Sequence, residues 1–213
     1  MFGIGFSELL IVLLVATGGM GIPLGIPPGE EDLLLAKVAP EECTFYLSWA
    51  GIAAPDPNSP NQTEQLLAER EVQRFVKQLD QAITAFLISE ARDNESRKVI
   101  AQTAPTLAKA MITKPGALFV GKVSLGVRGV EVDGGLVVNT GDDTEKLKQE
   151  VARLEGALGP LVKDVEVGGE TWKEFPMPED APRMLWGFRG KYMILGVGEG
   201  SVEAILSRVH ALV

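Results

Sequence analysis

The chain has 213 residues, one cysteine, one histidine and a formal net charge of −9, from 29 acidic and 20 basic side chains. That surplus of acid argues against nucleic-acid binding and against electrostatic docking onto anionic lipid, since both need Lys and Arg to neutralise phosphates. A lone Cys43 excludes an internal disulfide.

The chain opens on an apolar segment, Met1 to about Gly21. Ile4, Phe6 and the run from Leu9 to Val15 supply nine strongly apolar side chains, together worth roughly −3 to −5 kcal/mol on insertion into a bilayer. Glu8 opposes this by about 2.5–3.5 kcal/mol if central, and by less near the interface. About 20 residues cross the hydrocarbon core, so residues 1–21 are expected to form a retained membrane helix. A cleaved signal peptide, with Ala16-Thr17-Gly18 as the small-residue site, and an apolar core helix are the alternatives. Membrane lipid is thus an expected partner. Residues 22–32, rich in Pro and Gly, read as a tether, and residues 33–213 as one α+β domain.

Met1-Phe2-Gly3-Ile4-Gly5-Phe6-Ser7-Glu8-Leu9-Leu10-Ile11-Val12 resembles the start of the small membrane subunits of the bacterial twin-arginine protein translocase. The resemblance covers about these 12 residues. It implies a membrane helix with an out-facing N-terminus and, as a second functional reading, a component of a translocation machine.

Cys43 to Trp49 alternates apolar with polar residues, as a half-buried strand does. Residues 54–61 are a Pro/Asn/Asp loop. Val72, Phe75, Val76, Leu79, Ile83, Phe86 and Leu87 then recur at three- and four-residue steps, the stripe of an amphipathic helix. A second helix is expected from Glu95 to Thr113, kinked or restarted at Pro105. Two strands, Ala117–Leu125 and Gly134–Asn139, are expected about an Asp133-Gly134 turn. A helix with Leu147, Val151, Leu154 and Leu158 on one face follows, with Asp142 and Glu145 at capping-box spacing.

Two hairpins follow. Val162–Val167 turns through Gly168-Gly169 into Glu170–Met177, and Met184–Phe188 turns through Arg189-Gly190 into Lys191–Leu195. A helix from Ser201 to Leu212 closes the chain. The pattern predicts a mainly antiparallel sheet with helices packed on one face. The segment from about Val137 to Val209, including Gly187-Phe188-Arg189-Gly190-Lys191-Tyr192-Met193-Ile194-Leu195-Gly196 and Ser201-Val202-Glu203-Ala204-Ile205, resembles a class of uncharacterised bacterial envelope proteins. That resemblance implies an exported or anchored domain on the non-cytoplasmic side and transfers no catalytic residue.

Candidate chemistry is sparse. Gly196-Val197-Gly198-Glu199-Gly200-Ser201 lies between a strand and a helix, but Glu199 would oppose a phosphate, so a tight turn is expected. No G-x-S-x-G surrounds a serine, and a Cys43–His210 pair is unconstrained by spacing. Asp56, Asn58 and Asn61, and separately Asp133, Asp142 and Asp143, are oxygen ligands too sparse for a calcium loop. Glu41-Glu42 reads as a solvated approach to the first strand. Trp49, Trp172 and Trp186 are expected to pack on the sheet. The sequence therefore points to binding or assembly through a protein partner, with no catalytic, cofactor or metal site, and an envelope hydrolase as the weakest alternative.

Overall fold

The computed structural model describes residues 26–91, 94–126, 129–175, 177 and 181–209. The expected membrane helix therefore lies outside the described residues. Among those described, no helix is long and apolar enough to cross a membrane.

Among the described residues, seven strands form one antiparallel sheet: β1 (Phe45–Trp49), β2 (Gly116–Gly126), β3 (Gly129–Asn139), β4 (Lys163–Val167), β5 (Glu170–Phe175), β6 (Met184–Arg189) and β7 (Tyr192–Val197). Their order is β1-β2-β3-β7-β6-β5-β4. Among the described residues, five α-helices accompany them: α1 (Gln62–Ala68), α2 (Arg70–Glu90), α3 (Glu95–Thr113), α4 (Thr144–Leu158) and α5 (Ser201–Arg208). The α+β class is as expected.

The helices divide between the two faces of the sheet instead of covering one. On the first face, Val202, Ile205 and Leu206 of α5 join Leu35, Val38, Phe119, Trp172, Leu185 and Ile194 in the larger core cluster. On the second, Val151 of α4 and Leu107 and Met111 of α3 pack with Val138, Met193, Trp49 and Trp186. The cause is legible along the central strands. Successive side chains alternate sides, and Val137/Val138, Ile194/Met193 and Leu185/Trp186 are apolar on both. A sheet greasy on both faces needs two covers.

Asp133-Gly134 does not form the turn expected of it. Both residues lie inside β3, where Gly134 pairs with Val120 and Gly135 with Phe119. A Cβ on Gly135 would stand 2.7 Å from Ile205 Cδ1 and 3.0 Å from the Phe119 ring. These glycines serve close packing in mid-strand, a use that competes with turn formation in any Gly-rich stretch.

Pro105 does not restart the second long helix, since α3 runs from Glu95 to Thr113 with the proline inside it. One lost backbone donor is tolerated in a helix otherwise held by packing. The capping box is also absent. Asp142 and Asp143 lie in a short 3-10 turn, and neither makes a side-chain cap. The Thr144 hydroxyl donates to the Gly141 carbonyl at 2.6 Å, while Thr140 Oγ1 donates to the Lys191 carbonyl at 2.7 Å. The second hairpin turns at Gly190-Lys191, one residue later than expected, with Arg189 opposite Tyr192.

Candidate functional site

The first half of the long helical pattern produces the most unusual surface of the molecule. Asn61 starts α1, its side-chain oxygen accepting from the Thr63 amide at 2.9 Å. Gln73 ties α1 to α2 by donating to the Leu67 carbonyl at 2.6 Å. Asn94 then starts α3, accepting from the Arg97 amide at 3.1 Å, so α2 and α3 form a helical hairpin. Across it, Asp80 faces Lys109 at 3.9 Å.

The expected stripe exists, but it does not face the core. None of the 21 residues of α2 is buried. Phe75 is 63% exposed, Phe86 62%, Val76 and Leu79 49% and Ile83 48%. Helix stability in proteins comes mostly from burying an apolar face, and this face lacks that burial among the described residues. Large contiguous apolar patches of this kind mark interaction sites. The helix is also electrically balanced: Arg70, Arg74 and Lys77 offset Glu71, Asp80 and Glu90, against −9 for the whole chain.

Beside it lies a shallow cleft of about 340 Å³ between the helical hairpin and the start of α4, lined by Asp80, Thr84, Pro105, Lys109, Asp143 and Lys146 among others. Its charges are largely committed. Lys114 holds Asp143 at 2.5 Å, and that hydrogen bond keeps the Asp143 carboxyl below its ordinary 3.8. Asp80 and Asp143 are each paired with a lysine there, and Lys146 is the one lining lysine without an ion pair among the described residues.

The other candidate residues serve the fold. Ser201 is buried, and its hydroxyl donates to the Gly198 carbonyl at 3.0 Å. Gly198 and Gly200 adopt φ of 97° and 70°, and a Cβ on Gly198 would strike the Val132 carbonyl. The Gly196–Ser201 segment is thus a strand-to-helix turn, closely packed at Gly196 and Gly198 and open at Gly200. Asp56 Oδ1 accepts from the Asn58 amide at 2.8 Å, and Asn61 is used as the cap of α1. Among the described residues, no group of three or more His, Cys, Asp or Glu could hold a metal. Cys43 is a partly exposed free thiol just before β1, and His210 lies outside the described residues.

Trp172 is buried at 1% exposure in the larger cluster, and Trp49 and Trp186 pack against the smaller one. The indole N–H of Trp186 donates to Glu155 Oε1 at 2.9 Å. Sequence reasoning missed Asp32. Assigned to the tether, it accepts from the Tyr192 hydroxyl and from the Asn139 amide, far along the chain. No local pattern could have revealed either partner.

The fold and site define an α+β protein with a two-faced antiparallel sheet and a surface-exposed amphipathic helix. No family model, no curated protein and no solved structure matches the chain.

Proposed function

We propose that this chain is a membrane-tethered protein that acts by binding or assembly, not by catalysis, and that α2 is the surface it offers a protein partner. The reading is carried by one observation: a 21-residue amphipathic helix with no buried residue, whose stripe leaves Phe75, Val76, Leu79, Ile83 and Phe86 about half exposed or more. An apolar stripe laid into a partner's groove, read at i, i+3, i+4 and i+7, is a recurring mode of protein recognition. The rim of the stripe carries Glu71, Gln73, Gln78 and Asp80 instead of a Lys/Arg border, which favours a protein surface over anionic lipid. The apolar segment of residues 1–21 supports the tether, and the resemblance of residues 137–209 to envelope proteins supports a body on the non-cytoplasmic side.

The test uses the full-length chain. It should remain with membranes after carbonate extraction, migrate on native gels as a complex larger than its monomer, and lose that complex with Phe75→Glu plus Ile83→Glu. A monomeric wild type, or a complex indifferent to both substitutions, overturns the role given to α2. A wild type released by carbonate overturns the tether.

A further inference from the structure

We infer that the occupant of the α2 stripe is the same stripe on a second copy of this chain, the two helices running antiparallel about a two-fold axis at Leu79. The inference rests on the reading of α2 as a partner surface and goes further by naming the partner. Three observations carry it.

The first is spacing. Val72, Leu79 and Phe86 stand seven residues apart, with Phe75 and Ala82 three residues after the first two and Val76 and Ile83 beside those. Apolar residues at such heptad positions form the seam of paired helices. Reversed about Leu79, the stripe from Val72 to Phe86 maps onto itself. Phe75 falls opposite Ile83 of the other copy, Val72 opposite Phe86, and Val76 opposite Ala82. Each ring meets an aliphatic side chain, the large-against-small alternation that lets facing rows interdigitate. A two-fold interface requires this self-complementarity, because every contact must occur twice with roles exchanged.

Charge is the second. The chain carries −9, so most of its surface would repel a copy of itself. On α2, three basic side chains balance three acidic ones. The stated register sets Gln78 across from Asp80 and Glu71 across from Leu87, which brings no like charges face to face. Antiparallel helix dipoles add attraction where parallel ones would repel.

The third is area. Phe75 and Phe86, exposed by 63% and 62% of about 150–250 Å² each, offer roughly 200–300 Å², and the half-exposed Val76, Leu79 and Ile83 add roughly 100–200 Å² at the area their transfer energy implies. Two copies together bring about 600–1,000 Å² of apolar surface before the polar rim is counted, against the ~1,000 Å² of a specific interface.

The experiment is thiol crosslinking of the full-length chain in a Cys43→Ser background, with a short bis-maleimide, in intact membranes. Leu79→Cys should give a covalent dimer, and Arg74→Cys, on the opposite side of the helix, should not. Val72→Cys and Phe86→Cys should each crosslink poorly alone and strongly when the two variants are co-expressed. That mixed product is specific to antiparallel pairing. All substituted positions except Val72 and Cys43 are exposed, and a melting curve for each variant confirms its fold. Absence of the Leu79→Cys dimer in a folded variant overturns self-pairing. If native gels still show a complex that Phe75→Glu plus Ile83→Glu dissolves, the partner is another protein and the proposed function stands. If no such complex exists, both readings fall together. Equal crosslinking at Leu79 and Arg74 would indicate random collision and likewise overturns the inference.

Discussion

The Tyr192 hydroxyl donates a 2.7 Å hydrogen bond to Asp32 Oδ2, so the start of the domain is fastened to the strand at the centre of its sheet. The Asn139 side-chain amide donates to the same oxygen at 2.6 Å, and the Leu34 amide reaches Oδ1 at 3.0 Å. Leu35 and Val38, just downstream, are thereby set into the larger core cluster. Asp32→Ala strands the buried Tyr192 hydroxyl and the half-buried Asn139 amide and should cost roughly 2–4 kcal/mol. Denaturant unfolding measures it, and a loss under about 0.5 kcal/mol would show the fastening to be ornamental.

Alkaline pH should loosen the same contact. Burial, and then the Asp32 hydrogen bond, pushes the Tyr192 phenol well above its ordinary 10.0. The unfolded chain ionises that phenol at its ordinary value, so above pH 10 the unfolded state binds fewer protons than the folded one. Stability from this group is therefore complete below pH 10 and declines as pH rises toward the folded value. Tyr192→Phe should remove that part of the alkaline slope. An unchanged slope in the variant would place its origin elsewhere.

Close packing at Gly135 gives a coupling that can be measured. Gly135→Ala sets a methyl 2.7 Å from Ile205 Cδ1, and should cost about 1–3 kcal/mol through overpacking. Ile205→Val removes that Cδ1 and alone should cost about 0.5–1.5 kcal/mol. The double variant should lose less than the sum, with a coupling of at least about 0.5 kcal/mol. Strict additivity would mean that the clash relaxes elsewhere.

Two apolar positions of similar sequence character should behave in opposite ways. Val151 of α4 is 7% exposed, packed with Val138 and Met193, so Val151→Asp buries a lone carboxylate and should consume several kcal/mol of the roughly 5–15 available. Ile83 on α2 is half exposed, and Ile83→Asp should change monomer stability by no more than about 0.5 kcal/mol. Thermal melts at low protein concentration separate the two. Equal losses would place α2 in the core.

Trp186 supplies an optical reporter. Its indole N–H donates to Glu155, and Lys173 lies 4.0 Å from the same carboxylate. Glu155→Ala should cost about 1–2 kcal/mol and red-shift tryptophan emission as water reaches the indole. An unshifted spectrum would locate the emission in Trp49 and Trp172.

Most strands and helices could be read from periodicity, because their alternation or three-to-four spacing follows from local geometry. The segment around Trp49 and the two late hairpins are examples. What periodicity could not supply was direction. The Val72–Leu87 stripe is as regular as that of Leu147–Leu158, yet only the second finds a core, since partners are a tertiary property. The same limit explains Asp133-Gly134: a turn signal and a close-packing signal are written with the same residues. Val137 beside Val138, and Ile194 beside Met193, did carry the two-faced sheet, as adjacent apolar residues in a strand must point opposite ways.

The sheet order has a bearing on how the chain is assembled. β7 is the last of the seven described strands in chain order, yet it sits between β3 and β6, pairing Leu136 with Leu195 on one side and Trp186 with Leu195 on the other. During synthesis, β2–β3 and β4–β5–β6 can each form from neighbouring segments, with β1 joining β2 across the three intervening helices, but they remain separate ribbons with bare inner edges until Tyr192–Val197 leaves the ribosome. Such an edge is a template for wrong pairing, and joining strands so distant along the chain is slow. A nascent chain stalled before Tyr192 would thus hold two adhesive half-sheets, so the few residues that follow Gly190 act as the clasp on which both depend.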